Sequence, residues 1–253
     1  MRSSKYLLCF SLVVAVVFFL SSTQPSEAQI PGMPKLYGEF KTPEVGAYVT
    51  YKVINIKNKV ERITKLSIVG IEKSEGGVAK ILEEGEIKKV VEGGKVQPIL
   101  KPKGEDLYWY EVEETDPKTG YVAIMKMLIS GNPQDIGIIH RMIVKSAKEP
   151  ASELPQAFVQ MINQTPAQET EANKPKIKNL GTEKVKIKSE TLECAHLQYI
   201  SPDKTTAEVW TNAKVPLLGM VKSTTPEITM ELLEYGTDAV SAIEEKPEVL
   251  EMK

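Results

Sequence analysis

The feature that most constrains this chain is an alternation of apolar and polar residues with period two. It is carried by β-branched and aromatic side chains and broken at short intervals by Gly, Pro, Asn and Asp. Residues two apart share a face only in an extended strand, so the pattern predicts a mainly antiparallel sheet built from hairpins. Gly46 to Ile56 sets Ala47, Val49, Tyr51 and Val53 on one face, and Val60 to Ile71 returns after Lys57-Asn58-Lys59. In that second strand Leu66 and Ile68 oppose Ile63, Val69 and Ile71, which requires a bulge or two apolar faces. Glu75-Gly76-Gly77 then leads into a strand over Val78 to Lys89, followed by a turn at Glu92-Gly93-Gly94.

The middle of the chain is richer in oil. Asp106 to Thr115 holds Leu107, Tyr108, Trp109 and Tyr110, and the turn signal Asp116-Pro117-Lys118-Thr119-Gly120 predicts pairing with Tyr121 to Ser130. In the latter, Tyr121, Ala123, Met125, Met127 and Ile129 share one face; Val122, Ile124 and Leu128 share the other with Lys126. A strand apolar on both sides must be covered twice, by protein or by something the protein carries. After Gly131-Asn132-Pro133, the run Ile136 to Ser146 fits helix or bulged strand, and Gly137 with the Ile and Val content favours strand. Leu154 to Ile162 predicts a short helix, with Pro155 in its first turn and Ala157, Phe158, Met161 and Ile162 as its apolar stripe.

Asn163 to Lys176 has no periodicity and reads as a polar linker or long loop. Its Asn163-Gln164-Thr165 is formally a glycosylation sequon, a match frequent by chance. Four strands follow, over Glu183 to Lys188, Thr191 to Ile200, Thr205 to Asn212 and Met220 to Leu233, with turns at Ser201-Pro202-Asp203 and Thr224-Thr225-Pro226. Pro216 and Gly219 predict that Val215 to Gly219 turns a corner at a sheet edge. Residues 237–253 are acidic and lack a strong pattern, and predict a flexible tail, disordered or lightly attached.

Residues 1–28 carry a different signal. Arg2 and Lys5 precede an apolar run from Tyr6 to Leu20, and Ser26-Glu27-Ala28 places small residues where a signal peptidase reads them. The run is shorter than the roughly 20 residues a bilayer core needs, so a cleaved signal peptide is favoured over a retained anchor. Cys9 lies inside the run, where it could not become a lipidated mature N-terminus. The expectation is a periplasmic or secreted product with no transmembrane segment after cleavage, in which residues 29–236 form a single β-rich domain.

Cleavage changes the formal net charge from −2 to −3, with Lys and Glu interspersed, so no nucleic-acid partner is implied. It leaves Cys194 as the one cysteine, excluding an internal disulfide. Cys194 and His196 share a strand face and are the best catalytic pair on offer, yet no nucleophile motif surrounds them. His140 is the other histidine, and no Cys-x-x-Cys, His-Glu-x-x-His, calcium loop, phosphate loop or Gly-x-Ser-x-Gly occurs, so neither metal nor cofactor is expected. Met125, Met127, Met142, Met161, Met220 and Met230 lie in or beside apolar segments; flexible thioethers suit ordinary core filling or a greasy concavity with the 154–162 helix as its lid.

The closing segment, with Cys194-Ala-His-Leu-Gln-Tyr, Ala207-Glu-Val-Trp210, Val215-Pro-Leu-Leu-Gly-Met-Val221 and Glu231-Leu-Leu-Glu-Tyr-Gly236, resembles the end of periplasmic lipoprotein-sorting domains of the LolA/LolB kind. Gly46-Ala-Tyr-Val-Thr-Tyr51 is similar to their first strands. The resemblance implies a strongly curved antiparallel sheet, an incomplete barrel with one or two short helices over a concave apolar face able to accept acyl chains. This chain departs from that pattern in having little helix between its early strands and a polar linker at 163–176. The expected function is a non-enzymatic envelope protein holding a lipid or lipoprotein acyl chain in a sheet-lined cavity, with Trp109, Met125, Met127, Met142 and Phe158 as lining residues. The alternatives are a structural or interaction module with an envelope protein partner, and a hydrolase using Cys194 and His196.

Overall fold

The computed structural model describes residues 43–73, 106–130, 139–163, 175–201 and 204–250. The signal segment with Cys9, the strand expected over Val78 to Lys89 with its flanking Gly pairs, the break at Gly131-Asn132-Pro133, linker residues 164–174 and the Pro202-Asp203 turn lie outside the described residues.

Twelve strands and one helix follow in chain order: β1 (Tyr48–Asn55), β2 (Glu61–Lys73), β3 (Asp106–Thr115), β4 (Val122–Ser130), β5 (Ile139–Ser146), β6 (Ser152–Glu153), α1 (Gln156–Asn163), β7 (Lys176–Lys186), β8 (Thr191–Ile200), β9 (Thr206–Thr211), β10 (Met220–Thr224), β11 (Ile228–Gly236) and β12 (Glu248–Val249). They form one open sheet in the order β12-β6-β5-β4-β3-β2-β1-β11-β10-β9-β8-β7, antiparallel except where β12 runs parallel to β6. The mainly β, curved, incompletely closed architecture is as the sequence predicts.

The hairpins form where the turn chemistry places them. Asn55 Oδ1 accepts from the backbone N–H of Lys57 and Asn58 between β1 and β2, and Asp116 Oδ1 accepts from Lys118 and Thr119 between β3 and β4. The anticipated irregularity in β2 is a bulge at Val69, where the register with β3 shifts between Ile68 and Gly70. Further register shifts fall in the β1–β11, β4–β5, β9–β10 and β7–β8 pairs, and each adds local twist.

Curling is what buries the core. With one short helix among the described residues, the sheet covers its apolar face by folding over itself. The main cluster draws on Val49 and Tyr51 of β1, Ile68, Tyr110, Met127, Met142, Val209 and Leu232, strands that span nearly the whole sheet order. Tyr51 Oη donates to Met220 O at 2.9 Å, and Tyr235 Oη on β11 donates to Glu190 in the β7–β8 turn at 2.9 Å, reaching past the two intervening strands β10 and β9.

Four expectations change. The strand after the linker begins at Lys176, not Glu183, and pairs with β8 along its whole length; it is polar because nearly every residue of this edge strand faces solvent. The corner at Val215 to Gly219 connects β9 to β10 inside the sheet order, not at its edge, and buries Val215, Leu217 and Leu218. In α1 the buried residue is Val159, with Phe158 and Ile162 packed beside it, while Ala157 and Met161 are exposed. The 237–253 segment is no loose tail over its described part, residues 237–250, which form a strap across the sheet.

Backbone and carboxylate bonds hold that strap. Ala239 N donates to Gly46 O, Ser241 Oγ and Ala242 N donate to the two oxygens of Glu111, and Glu248 N and Leu250 N donate to Ala151 and Glu153 around the β12–β6 pair. Gly46 sits at φ 94°, and a Cβ there would meet Thr237 O at 2.3 Å, so the strap's start requires glycine. The polar sequence hides this docking because most of its contacts are made by the backbone.

Candidate functional site

Strand parity decides where the five expected lining residues go. Tyr110 opposes Met127 and Met127 opposes Met142, so these share a face, whereas Trp109 opposes Leu128 on the other. Met125, Met127, Met142 and Phe158 accordingly meet in the main cluster. Trp109 packs on the opposite face with Leu107, Ile124, Leu128, Ile143, Ala151 and the strap's Ile243. Met127 and Met142 are sealed by neighbouring side chains at 0% and 2% exposure. Helix α1 is fixed to β5 at both ends: Asn163 exchanges two hydrogen bonds with the Ile139 backbone (2.9 and 2.7 Å), and Gln156 Nε2 donates to His140 O. Tyr110 Oη is buried without a hydrogen-bond partner among the described residues.

The two-sided strand β4 is thus covered by protein on both faces: its Met125, Met127 and Ile129 by the main core, its Ile124 and Leu128 by the second cluster under the strap. The lone Lys126 on the second face donates to Ser241 Oγ at 2.9 Å, which in turn donates to Glu111. Trp109 is boxed in there. Its Nε1 donates to Glu72 at 2.8 Å, Lys126 and Arg141 lie 5.3 and 5.2 Å from its ring centroid, and Arg141 forms a two-pronged pair with Glu153.

A second tryptophan is built similarly and is as buried as the first, at the margin of the main cluster. Trp210 on β9 donates Nε1–H to Glu183 Oε2 at 2.7 Å, stacks on His196 with centroids 4.2 Å apart, and carries Lys222 Nζ 4.9 Å over its ring. The register aligns His196, Trp210, Lys222, Glu231 and Lys52 in one cross-strand row from β8 to β1. His196 Nδ1 lies 3.6 Å from Glu183; Nε2 lies 3.3 Å from Glu208, out of line for a hydrogen bond.

Beside this row runs a groove of about 370 Å³, lined by Glu183 to Lys188 on one side and by Trp210, Val221, Lys222, Glu231, Leu232 and Leu233 on the other. A hollow lying on one face of a strand touches alternate residues. This one touches the last four consecutive residues of β7, Glu183 to Lys186, and the turn residues Ile187 and Lys188, so it follows the backbone at the strand's end. Sequence reasoning passed over it, although the alternation of Lys184, Lys186 and Lys188 was a readable signal.

Cys194 and His196 do share a face, but not a catalytic geometry. Cys194 is fully buried, its Sγ 3.6 Å from Leu192 O, and desolvation pushes its thiol above the ordinary value, opposite to the shift a nucleophilic thiolate needs. The ring of His196 is engaged by Trp210 and flanked by two carboxylates. Among the described residues no three His, Cys, Asp or Glu side chains converge as a metal site, and no helix is long and apolar enough to cross a membrane.

No family model matches the chain, and no curated protein matches it. Two solved structures are similar in part. A candidate lipoprotein from Parabacteroides distasonis is 12% identical, covering 80% of this chain and 100% of its own, with a TM-score of 0.34. A candidate exported protein with YmcC-like fold from Bacteroides fragilis is 11% identical, covering 79% and 100%, with a TM-score of 0.35. Likeness at this level assigns this chain neither a ligand nor an activity.

Proposed function

We propose that this chain is an exported, non-catalytic protein of a bacterial envelope whose curled sheet serves as an interaction module. The signal pattern of residues 1–28 supports export. The interaction reading rests on one observation: β4, apolar on both faces, is covered twice by the chain's own residues, which leaves charged surface and an open sheet edge as the parts available to another molecule.

A lipid or acyl-chain carrier, the other reading of the sequence, needs unfilled apolar space. Met127 and Met142 are occupied by core packing, and Trp109 lies on the far face beneath the strap. The groove beside Trp210 has lysine and glutamate in its walls, and a hydrocarbon chain seated there would strand those charges without water.

Native mass spectrometry of the protein purified from its own envelope tests this reading. The expected species begins at Gln29 and carries no lipid mass. Stoichiometric lipid that survives gentle desolvation would restore the carrier, and retention of residues 1–28 would remove cleaved export.

A further inference from the structure

We infer that the open edge of β7, with the groove beside it, is a docking site for an extended acidic segment of a partner protein, which adds to the sheet as a further antiparallel or parallel strand. This deepens the interaction reading above and rests on it. Three observations carry it. The first is the edge. β7 is an 11-residue strand at the end of the sheet order, paired among the described residues with β8 alone, and every residue in it but Val185 is exposed. One side of its backbone is therefore a row of N–H and C=O groups facing outward, the template used in strand addition. At the sheet's opposite end the terminal strands β12 and β6 are two residues each, too short to serve as such a template.

The second is charge. β7 and its turn carry Lys176, Lys178, Lys184, Lys186 and Lys188 against Glu183 and Glu190, and none of these lysines has an ion-pair partner among the described residues, whereas Lys52, Lys57, Lys73 and Lys145 elsewhere each pair with an acidic residue. The chain as a whole is slightly acidic, so this is a local excess of positive charge, with Glu193 opposite Lys184 the acidic cross-strand neighbour. It bears on the occupant, register by register. A second copy of β7 paired antiparallel about Gly181 would set Lys176 against Lys186 and Lys178 against Lys184, like charges directly opposite one another. A strand bearing Glu or Asp at alternate positions meets complementary charge at the same places.

The third is space. The groove follows Glu183 to Lys188, and its far wall carries Lys222, Glu231 and Leu233, with Trp210, Val221 and Leu232 buried behind them. An extended segment seated on the edge would turn one set of alternate side chains toward that wall. Acidic residues there would reach Lys222, and small apolar residues would reach the half-buried Leu233.

The test uses the full mature chain with two synthetic octapeptides, one alternating Glu and Val, the other Lys and Val. The acidic peptide is expected to bind, to weaken as salt rises, and to slow amide hydrogen exchange within residues 176–186. The basic peptide is expected not to bind. Charge reversal at two exposed positions, Lys184→Glu with Lys186→Glu, should weaken the acidic peptide at least about tenfold. Failure of the acidic peptide to bind, equal binding of both peptides, indifference to the charge reversal, or protection appearing away from β7 would each overturn the proposal. None of these depends on the lipid content that decides the interaction reading, so the two fail separately.

Discussion

The two ends of this sheet receive opposite treatment. At one end Trp109, its carboxylate Glu72 and its cations Lys126 and Arg141 are closed in beneath Ile243, and short strands β6 and β12 finish the edge. At the other, Trp210 with Glu183 and Lys222 repeats the same combination of indole, carboxylate and cation, yet it borders a groove and an exposed edge strand. The local chemistry and the burial of the two indoles are alike; what differs is the neighbouring edge, finished by two-residue strands at one end and by the exposed 11-residue β7 at the other. On the reading proposed above, the end finished by short strands is structural and the long β7 edge is where another molecule adds.

The comparison breaks most visibly if the cover is removed. Ending the chain after Thr237 exposes Leu107, Trp109, Ile124 and Leu128 and leaves buried Glu111 without its Ser241 and Ala242 donors. We expect a loss on the order of 4 kcal/mol in denaturant unfolding, together with new dye binding to exposed apolar surface. Ile243→Ala isolates the apolar part of the same contact and should cost about 2–3 kcal/mol. Neither change should alter the β7 edge, which lies at the far end of the sheet order.

Acid should loosen the strap before the rest. Hydrogen bonding from Lys145 holds the Glu245 carboxyl below the ordinary carboxylate range. A depressed acid contributes its stability above the unfolded-state value, about 4.3, and loses it as pH falls through the lower folded value. Hydrogen exchange in residues 241–250 should therefore rise below about pH 4. The effect is expected to be modest because the pair is at the surface.

The smallest changes sharpen the account. Tyr110→Phe removes a buried hydroxyl that has no partner among the described residues, so stability should stay level or rise by about 1 kcal/mol. The β7 charge reversal should move unfolding by no more than about 0.5 kcal/mol, since both lysines are exposed and unpaired. A large loss from that reversal would mean that β7 is structural after all.

Much of the fold was readable from the sequence where alternation and turn chemistry agree. The β1–β2 and β3–β4 hairpins, the β2 bulge and the strand character of Ile139 to Ser146 follow from local pattern. The strap was not readable. Its single buried apolar anchor, Ile243, sits among Ser241, Glu244 and Glu245, and its fastening runs through backbone N–H groups that leave no mark on composition. The length of β7 was hidden for a related reason, since an edge strand wet on both faces has no apolar period.

The expected site failed on parity. Period two places Trp109 opposite Tyr110, but which of them faces Met127 depends on cross-strand register, and that is set by pairing rather than by either strand alone. The groove beside Trp210 depends on curl, which brings Glu183 to Lys188 near Lys222 and Glu231 across strands far apart in sequence. Alternating lysines were the visible trace, and on their own they look like any solvated strand face.

Amide hydrogen exchange read along the whole mature chain tests the central contrast most directly. The account predicts that Ala242, Glu248 and Leu250 exchange slowly, close to the β3–β4 amides, while those β7 amides that point away from β8 exchange at nearly the rate of an open chain. Fast exchange throughout residues 239–250, or uniform protection across residues 176–186 in the isolated protein, would contradict it.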